Sequence, residues 1–417
     1  MSGMRLAMLA LLLIAFAGCA SGQLTGTDRP DGAGSGEPAV LTSEHLFVAT
    51  TRARAESSEE LFTGERGAGV DYASVRVTVP PVHKPGELER PRYGAPSPAK
   101  HFTITDRNYI DSGEYVARSV DDELATRPPD DREVLLFVHG YNTAFSDSVL
   151  RFSQFAYDAG FDGTLVLFTW ASRGSAVEYF YDRESATIAR DGLERTLRLL
   201  AGTNARKIHI MAHSMGNWVA METLRQLRIA GDATLGGKIG EVVLASPDID
   251  VDVFKAQMLR VGQPEKPYHL LISADDRALN LSQRISGNQP RIGNYTNDAD
   301  ITNLGIIVYD LTKVKSDDRL RHGKFAQAPE IVQLLGNRLN TGSQLASNEV
   351  RFSDRLQNLT RNIGEVVVST GDVVIHTPAT LITKPDQLIT APVEVIGGTI
   401  KPGDCRDCPE PTDSSNR

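Results

Sequence analysis

The pentapeptide Ala212-His213-Ser214-Met215-Gly216 follows the apolar run Lys207-Ile208-His209-Ile210-Met211 and precedes a helix-like run from Asn217 to Leu227. This predicts a strand, a sharp turn and a helix, with a serine at the apex. A serine on such a turn stands its hydroxyl clear of the sheet. The residues two before and two after must be small, because the strand and helix backbones pass close together. Ala212 and Gly216 meet that demand, with alanine where glycine is commoner. The alternative is an ordinary strand-to-helix loop in which Ser214 only caps the helix.

The surrounding pattern sets the fold class. Val134-Leu135-Leu136-Phe137-Val138, Leu165-Val166-Leu167-Phe168, Ile208 to Met211, Val242-Val243-Leu244, Leu270-Leu271-Ile272 and Ile306-Ile307-Val308 are apolar runs, mostly unbroken, as parallel strands covered on both faces require. Helix patterns lie between them; in one, Ala186, Ala189, Leu193, Leu197 and Leu200 recur on one face. The repetition predicts an α/β fold with a mostly parallel, doubly wound sheet, whose ligands collect at the carboxyl ends of the strands. Leu46 to Thr50 and Ser74 to Val79 read as further strands. The polar, proline-broken stretch 87–131 reads as loop with one or two short strands. Past Leu339 the chain turns polar and then gives β-branched runs at Val366 to Val368 and Val373 to Ile375. These are expected as edge or add-on strands of a partly disordered C-terminal appendage, 339–417.

The N-terminus differs in kind. Arg5 precedes the apolar stretch Leu6 to Ala17, closed by Gly18-Cys19, which reads as an export signal over 1–18 and is too short for a permanent span. Phe16-Ala17-Gly18-Cys19 resembles the lipobox of bacterial lipoproteins, with Phe16 where leucine is usual. That resemblance implies lipidation of Cys19 and, with Ala20 following, a place in the cell envelope, anchored in the outer membrane and facing the periplasm. A plain secretory signal is the other reading. Residues 19–44, rich in Gly, Ser, Asp and Pro, are expected to form a flexible tether to a main domain over 45–338. Cys405 and Cys408 remain in the polar tail, as a small disulfide or as free thiols. With 41% hydrophobic and 23% charged residues the chain has the content of a soluble globular protein, and its net charge of -9 argues against nucleic acid as a partner.

Attack by a serine hydroxyl needs a base, an acid to orient that base, and donors for the oxyanion. His322, in a loop after the last apolar strand, is the candidate base. His209 lies inside a strand, His213 within the turn, His139 at the start of an earlier loop and His376 in the appendage, positions that suit structural roles. For the acid, Asp276 follows Leu270 to Ser273 at a strand's carboxyl end, and Asp248 follows Val242 to Leu244 in the same way. Asp276 is preferred, Asp248 stays as the alternative, and Asp275 reads as a solvated neighbour or a cap. For the oxyanion, His139-Gly140-Tyr141-Asn142 ends an early strand; Tyr141 or Asn142 would give one N–H and Met215 the other.

These residues stand among others with a familiar order: Phe168-Thr169-Trp170-Ala171-Ser172-Arg173-Gly174, Tyr181 to Ala186, Ser246-Pro247-Asp248-Ile249-Asp250, Asp276-Arg277-Ala278-Leu279 and His322-Gly323-Lys324-Phe325. Together they resemble a family of bacterial α/β hydrolases, often exported lipoproteins, of unknown function. Val48 to Arg52 and Gly64 to Gly67 resemble its N-terminal signature. The resemblance runs from His45 to Leu335 and implies the α/β-hydrolase fold with a triad of Ser214, Asp276 and His322. It carries no substrate. The expected protein is a lipid-anchored extracytoplasmic serine hydrolase acting on a small-molecule ester or related acyl bond through an acyl-enzyme. It is expected to need no organic cofactor and no metal, since no H-E-x-x-H or comparable ligand set occurs. A non-catalytic envelope scaffold with a hydrolase fold, or an acyltransferase using the same triad, are the rival readings. Trp170, Arg173, Tyr179 and Tyr181 follow a strand end and either line a pocket or pack a loop. Asp182 and Arg183 read as a helix start.

Overall fold

Strands β4 (Glu133–Val138) and β5 (Thr164–Thr169) are buried at every residue, so the sheet they belong to is covered on both faces, and their continuous apolar sequence follows from that. The computed structural model describes residues 40–57, 60–296, 301–316, 318–341, 365–370 and 373–378. All belong to the first of two contact units, which ends at Ala379. The other strands are β1 (Thr42–Arg54), β2 (Phe62–Val79), β3 (Thr103–Ile110), β6 (Lys207–His213), β7 (Ile239–Ala245), β8 (Tyr268–Ile272), β9 (Ile306–Asp310), β10 (Glu365–Thr370) and β11 (Val373–Pro378). They form one sheet in the order β10-β11-β9-β8-β7-β6-β4-β5-β1-β2-β3. From β9 to β1 every neighbouring pair is parallel, and β2, β3, β10 and β11 extend the two ends antiparallel. This is the α/β-hydrolase architecture.

The chain leaves β4 for β5 on one side and then crosses to β6 on the other. That reversal opens a crevice at the carboxyl ends of β4 and β6, where ligands gather in such sheets. The helix Tyr179–Ala201 makes the crossover and buries Ala186, Ala189, Leu193, Leu197 and Leu200, the stripe expected from their spacing.

Two regions depart from the sequence reading. The stretch 87–131 holds strand β3 and also a helix, Gly113–Ala125, which was not expected. Val116, Val120 and Leu124 form its buried face, and the Ser112 side chain accepts the Tyr115 N–H at its start. At the other end, the helix Pro329–Thr341 passes the expected boundary at 338, while β10 and β11 are added antiparallel at the edge of the sheet beside β9, the place expected of their β-branched runs. The export signal, Cys19, most of the tether, Cys405 and Cys408 lie outside the described residues. No helix among the described residues is long and apolar enough to cross a membrane.

Candidate active site

Ser214 sits between β6 and the helix Gly216–Ile229 with φ +53°, in the left-handed region that costs a non-glycine residue about 1–3 kcal/mol. Its surroundings over-determine that geometry. The Ser214 N–H donates to Ala245 O at 3.0 Å. The Ser214 carbonyl accepts from Asn217 Nδ2 at 3.0 Å, Asn217 N at 3.1 Å and Asp248 N at 3.2 Å. The small residue after the turn is compulsory: a Cβ on Gly216 would lie 2.4 Å from His139 O and 2.6 Å from Val138 O. Gly140 is equally constrained, since a Cβ there would lie 2.8 Å from Ser214 Cβ. The end of β4 is therefore pressed against the serine.

Asp276 ends the segment after β8 and caps the helix Arg277–Ile285, its Oδ1 accepting the Leu279 N–H at 2.9 Å. Its Oδ2 lies 2.6 Å from His322 Nδ1, and the carboxylate is fully buried. Asp318 holds the histidine loop, its Oδ2 accepting the N–H groups of His322 at 2.9 Å and Gly323 at 3.1 Å. The His213 ring lies 4.6 Å from the His322 ring and 4.5 Å from Phe325, which brings His322 to the residue directly before the serine. Among the described residues no hydrogen bond engages Ser214 Oγ; such contacts tighten when substrate arrives. Burial pushes the His322 pKa down, but the charge and hydrogen bond of Asp276, with Asp248 and Asp318 further off, outweigh it and hold the pKa above the ordinary 6.5.

Asp275 is neither a free neighbour nor a cap, as the sequence had suggested. It takes Lys324 Nζ at 2.7 Å and Arg321 Nη1 at 2.8 Å, both from the histidine loop. The fully buried Lys324 ammonium also donates to Ser273 Oγ, Leu311 O and Thr312 O. The acid and histidine loops are thus joined by two adjacent aspartates, one on the imidazole and one on its flanking cations. Asp248 is engaged elsewhere: Ser282 Oγ donates to it at 2.6 Å, Tyr179 Oη at 3.3 Å, and the buried Arg291 Nε faces it at 3.3 Å. Of the two candidate acids, the fold brings Asp276 to His322.

At the end of β4, Asn142 does not offer its N–H to the crevice, which corrects one of the two expected positions. With φ +55° it donates to Asp182 Oδ2 at 3.2 Å. Among the described residues, the N–H groups of Tyr141 and Met215 carry no hydrogen bond. Tyr141 packs its ring 5.3 Å from Tyr179, whose ring lies 5.9 Å from that of Phe180. Tyr179 and Phe180 in turn line an open cleft of about 480 Å³ with Arg183, Glu184, Thr187, Ile285 and Ser286.

The remaining residues weighed from sequence have structural places. Trp170 is fully buried, Arg173 pairs with Glu65 and Glu178, and Tyr181 lies under the Arg66 and Arg173 guanidinium groups. His209 Nε2 meets Glu133 Oε2 at 3.0 Å while its Nδ1 accepts the Glu241 N–H. Asp182 starts its helix as expected, yet its side chain reaches back to residues 142, 172 and 173. Sequence reasoning missed Arg52, Asp318 and Lys324 as builders of the site. Arg52, near the end of a strand whose preceding residues Leu46 to Ala49 are apolar, is the one of them that its sequence position marked, because a charge buried there needs partners. Among the described residues no cluster of three His, Cys, Asp or Glu has the arrangement to hold a metal ion.

Comparison with known proteins gives a family and similar solved structures. The model of a family described as "Alpha/beta hydrolase of unknown function (DUF900)" matches residues 116–338. No curated protein matches the chain. Among solved structures, the monoclinic form of the Pyrobaculum calidifontis esterase is similar at 12% identity and a TM-score of 0.30, covering 73% of this chain and 87% of that one. A second structure of a hyperthermophilic esterase from the archaeon Pyrobaculum calidifontis is similar at 11% identity and a TM-score of 0.29, covering 73% and 84%.

Proposed function

The chain belongs to the alpha/beta hydrolases of unknown function (DUF900), and from that premise we propose that it is a serine hydrolase cleaving an ester or related acyl bond through an acyl-enzyme. The observation that carries the reading is the 2.6 Å pairing of His322 Nδ1 with Asp276 Oδ2, the His322 ring lying 4.6 Å from that of His213, the residue before a serine held at φ +53°. With Nδ1 bonded to the carboxylate, Nε2 is the nitrogen free to act as base. Ser214 Oγ bonds to the ester carbonyl carbon as its proton passes to His322 Nε2. The carbonyl π electrons move onto oxygen, between the Tyr141 and Met215 N–H groups. Collapse re-forms the carbonyl and breaks the bond to the alcohol, which leaves with the proton from His322. Water then repeats the sequence, freeing the acid and restoring Ser214. Transfer to an alcohol or amine in place of water would use the same steps.

A fluorophosphonate probe tests this on the full chain. The wild type is expected to label and Ser214→Ala to lose all labelling; well-folded wild type that stays unlabelled would return the protein to the scaffold reading. The same probe reports location. We place the enzyme in the bacterial envelope, anchored through a lipid on Cys19, so the labelled band is expected in the membrane fraction and, for Cys19→Ala, in the soluble fraction. A wild-type band in the soluble fraction would remove the anchor.

We assign the ester's apolar part to the cleft beside Phe180, whose lining residue Tyr179 packs against Tyr141 of the oxyanion turn. Phe180 is 70% exposed and Ile285 36%, so both have apolar surface left to cover. On p-nitrophenyl esters of increasing length, Phe180→Ala is expected to lower kcat/KM about tenfold for a hexanoate while leaving the acetate within about twofold. Equal effects at every length would exclude this cleft.

A further inference from the structure

Three stretches that carry no role in the reaction above converge on the turn 139–143: the end of β1 at Arg52, the segment Thr169 to Ser172 after β5, and Asp182. β4 has β5 on one side and β6 on the other, and the His139 ring lies on the β5 side, stacked on Trp170 at 5.0 Å. Its Nε2 receives the Trp170 N–H at 3.0 Å. An amide N–H can only donate, so Nε2 is bare and the ring proton sits on Nδ1, 2.8 Å from Gly140 O. In a trans peptide the C=O and N–H point in opposite directions. A Gly140 carbonyl drawn to the β5 side turns the Tyr141 N–H to the β6 side, where Ser214 stands.

Two buried charges keep this turn in place. Arg52 is 1% exposed, and all five of its N–H groups are used. Nε donates to Thr169 Oγ1 at 2.8 Å; Nη1 to Ser172 O at 2.8 Å and Thr63 O at 3.1 Å; Nη2 to Thr143 O at 2.7 Å, with His139 Nε2 at 3.3 Å. Burial pulls its pKa down to about 10, with Asp182 and Asp147 opposing, so the guanidinium stays charged at neutral pH. From the other side, fully buried Asp182 accepts the Asn142 N–H and the Ser172 hydroxyl, and Ser172 Oγ accepts the Thr143 N–H at 3.0 Å. Asn142 is thereby held in its left-handed conformation by a bond to a buried carboxylate.

We propose that Arg52 and Asp182 are positioning residues for the oxyanion turn, Arg52 bonding His139 and Thr143 at its two ends and Asp182 bonding Asn142 between them, so that the Tyr141 N–H faces the carbonyl oxygen of a bound ester. The inference rests on the serine reading above. Neither residue touches substrate; each acts through the peptide between Gly140 and Tyr141.

The test uses full-length Asp182→Asn, which keeps the shape, Arg52→Lys, which keeps the charge, and Ser172→Ala, which removes one hydroxyl. For each, kcat and KM on p-nitrophenyl acetate are measured beside the affinity for a trifluoromethyl ketone analogue, whose adduct with a serine carries an oxyanion. The expected result is a fall in kcat of about 100-fold for Asp182→Asn and Arg52→Lys, and about tenfold for Ser172→Ala. KM should stay within about threefold and the ketone should weaken by the same factor as kcat. A purely structural role would lower active fraction and melting temperature while leaving the ratio of ketone affinity to KM unchanged. That outcome, or unchanged kcat, overturns the proposal. Wild type that resists a fluorophosphonate removes the serine reading and this inference together, whereas labelled wild type with an unchanged ratio in all three variants removes this inference alone.

Discussion

His322→Ala is expected to lower kcat on an activated ester by on the order of 10⁶-fold, and Ser214→Ala by about the same factor. The two groups act as one unit: without the imidazole the hydroxyl keeps its proton, and without the hydroxyl the imidazole has nothing to activate. The double variant should therefore be no slower than either single one. Residual turnover above water, from binding and the oxyanion donors, is expected to survive in all three. Stopped-flow and long-incubation assays on one preparation give the comparison. A double variant slower than both singles by another large factor would show that Ser214 and His322 contribute separately, which the serine mechanism forbids.

Replacing Asp276 with asparagine is the next largest expected loss, about 10⁴-fold in kcat, because an amide at 2.6 Å from Nδ1 no longer fixes the tautomer that leaves Nε2 free. The pH dependence should move with it. His322 works as a neutral base, so activity falls as pH drops through its pKa, which lies above 6.5 in the wild type. In Asp276→Asn the burial that pushes this pKa down loses its largest opposition, leaving only the more distant Asp248 and Asp318, and the acidic limb is expected to shift to lower pH. The sign for stability is the reverse: the imidazolium's preference for the folded site adds stability that is fully present below pH 6.5 and disappears as pH rises through the raised value. Asp248→Asn is the control. It leaves Arg291 buried without its carboxylate, so it should destabilise by about 3–5 kcal/mol, while folded protein keeps kcat within about tenfold and a smaller limb shift. The opposite ranking of the two variants would transfer the acid role to Asp248.

Much of the site was legible before folding was considered, because its signals are local. The turn at Ser214 is written in five residues, and the strands around it in apolar runs that burial on both faces favours. What stayed open depended on partners distant in sequence. Whether Tyr141 or Asn142 offers its N–H is decided by Asp182, and Asp275 and Asp276 are told apart by the later loop, which brings Lys324 and Arg321 to the one and His322 to the other. The helix Gly113–Ala125 was overlooked for another reason: three apolar residues suffice for its buried face, and the charged residues between them conceal the spacing. Arg52 stands in the N-terminal signature without a role legible there, since nothing in the sequence says what five acceptors surround it.

The position of β1 bears on where the working unit begins. The family match starts at residue 116, after β1, β2 and β3, yet β1 is the strand that pairs with β5 from Leu46 opposite Leu165 to Thr50 opposite Thr169. A protein trimmed to residues 116–338 would retain Ser214, Asp276 and His322 and lose the guanidinium beneath the turn. It would also leave the apolar β5 as a bare strand with an unpaired row of N–H and C=O groups, a template for self-association. The smallest competent unit must therefore include β1, upstream of residue 116, where the match to the family model begins.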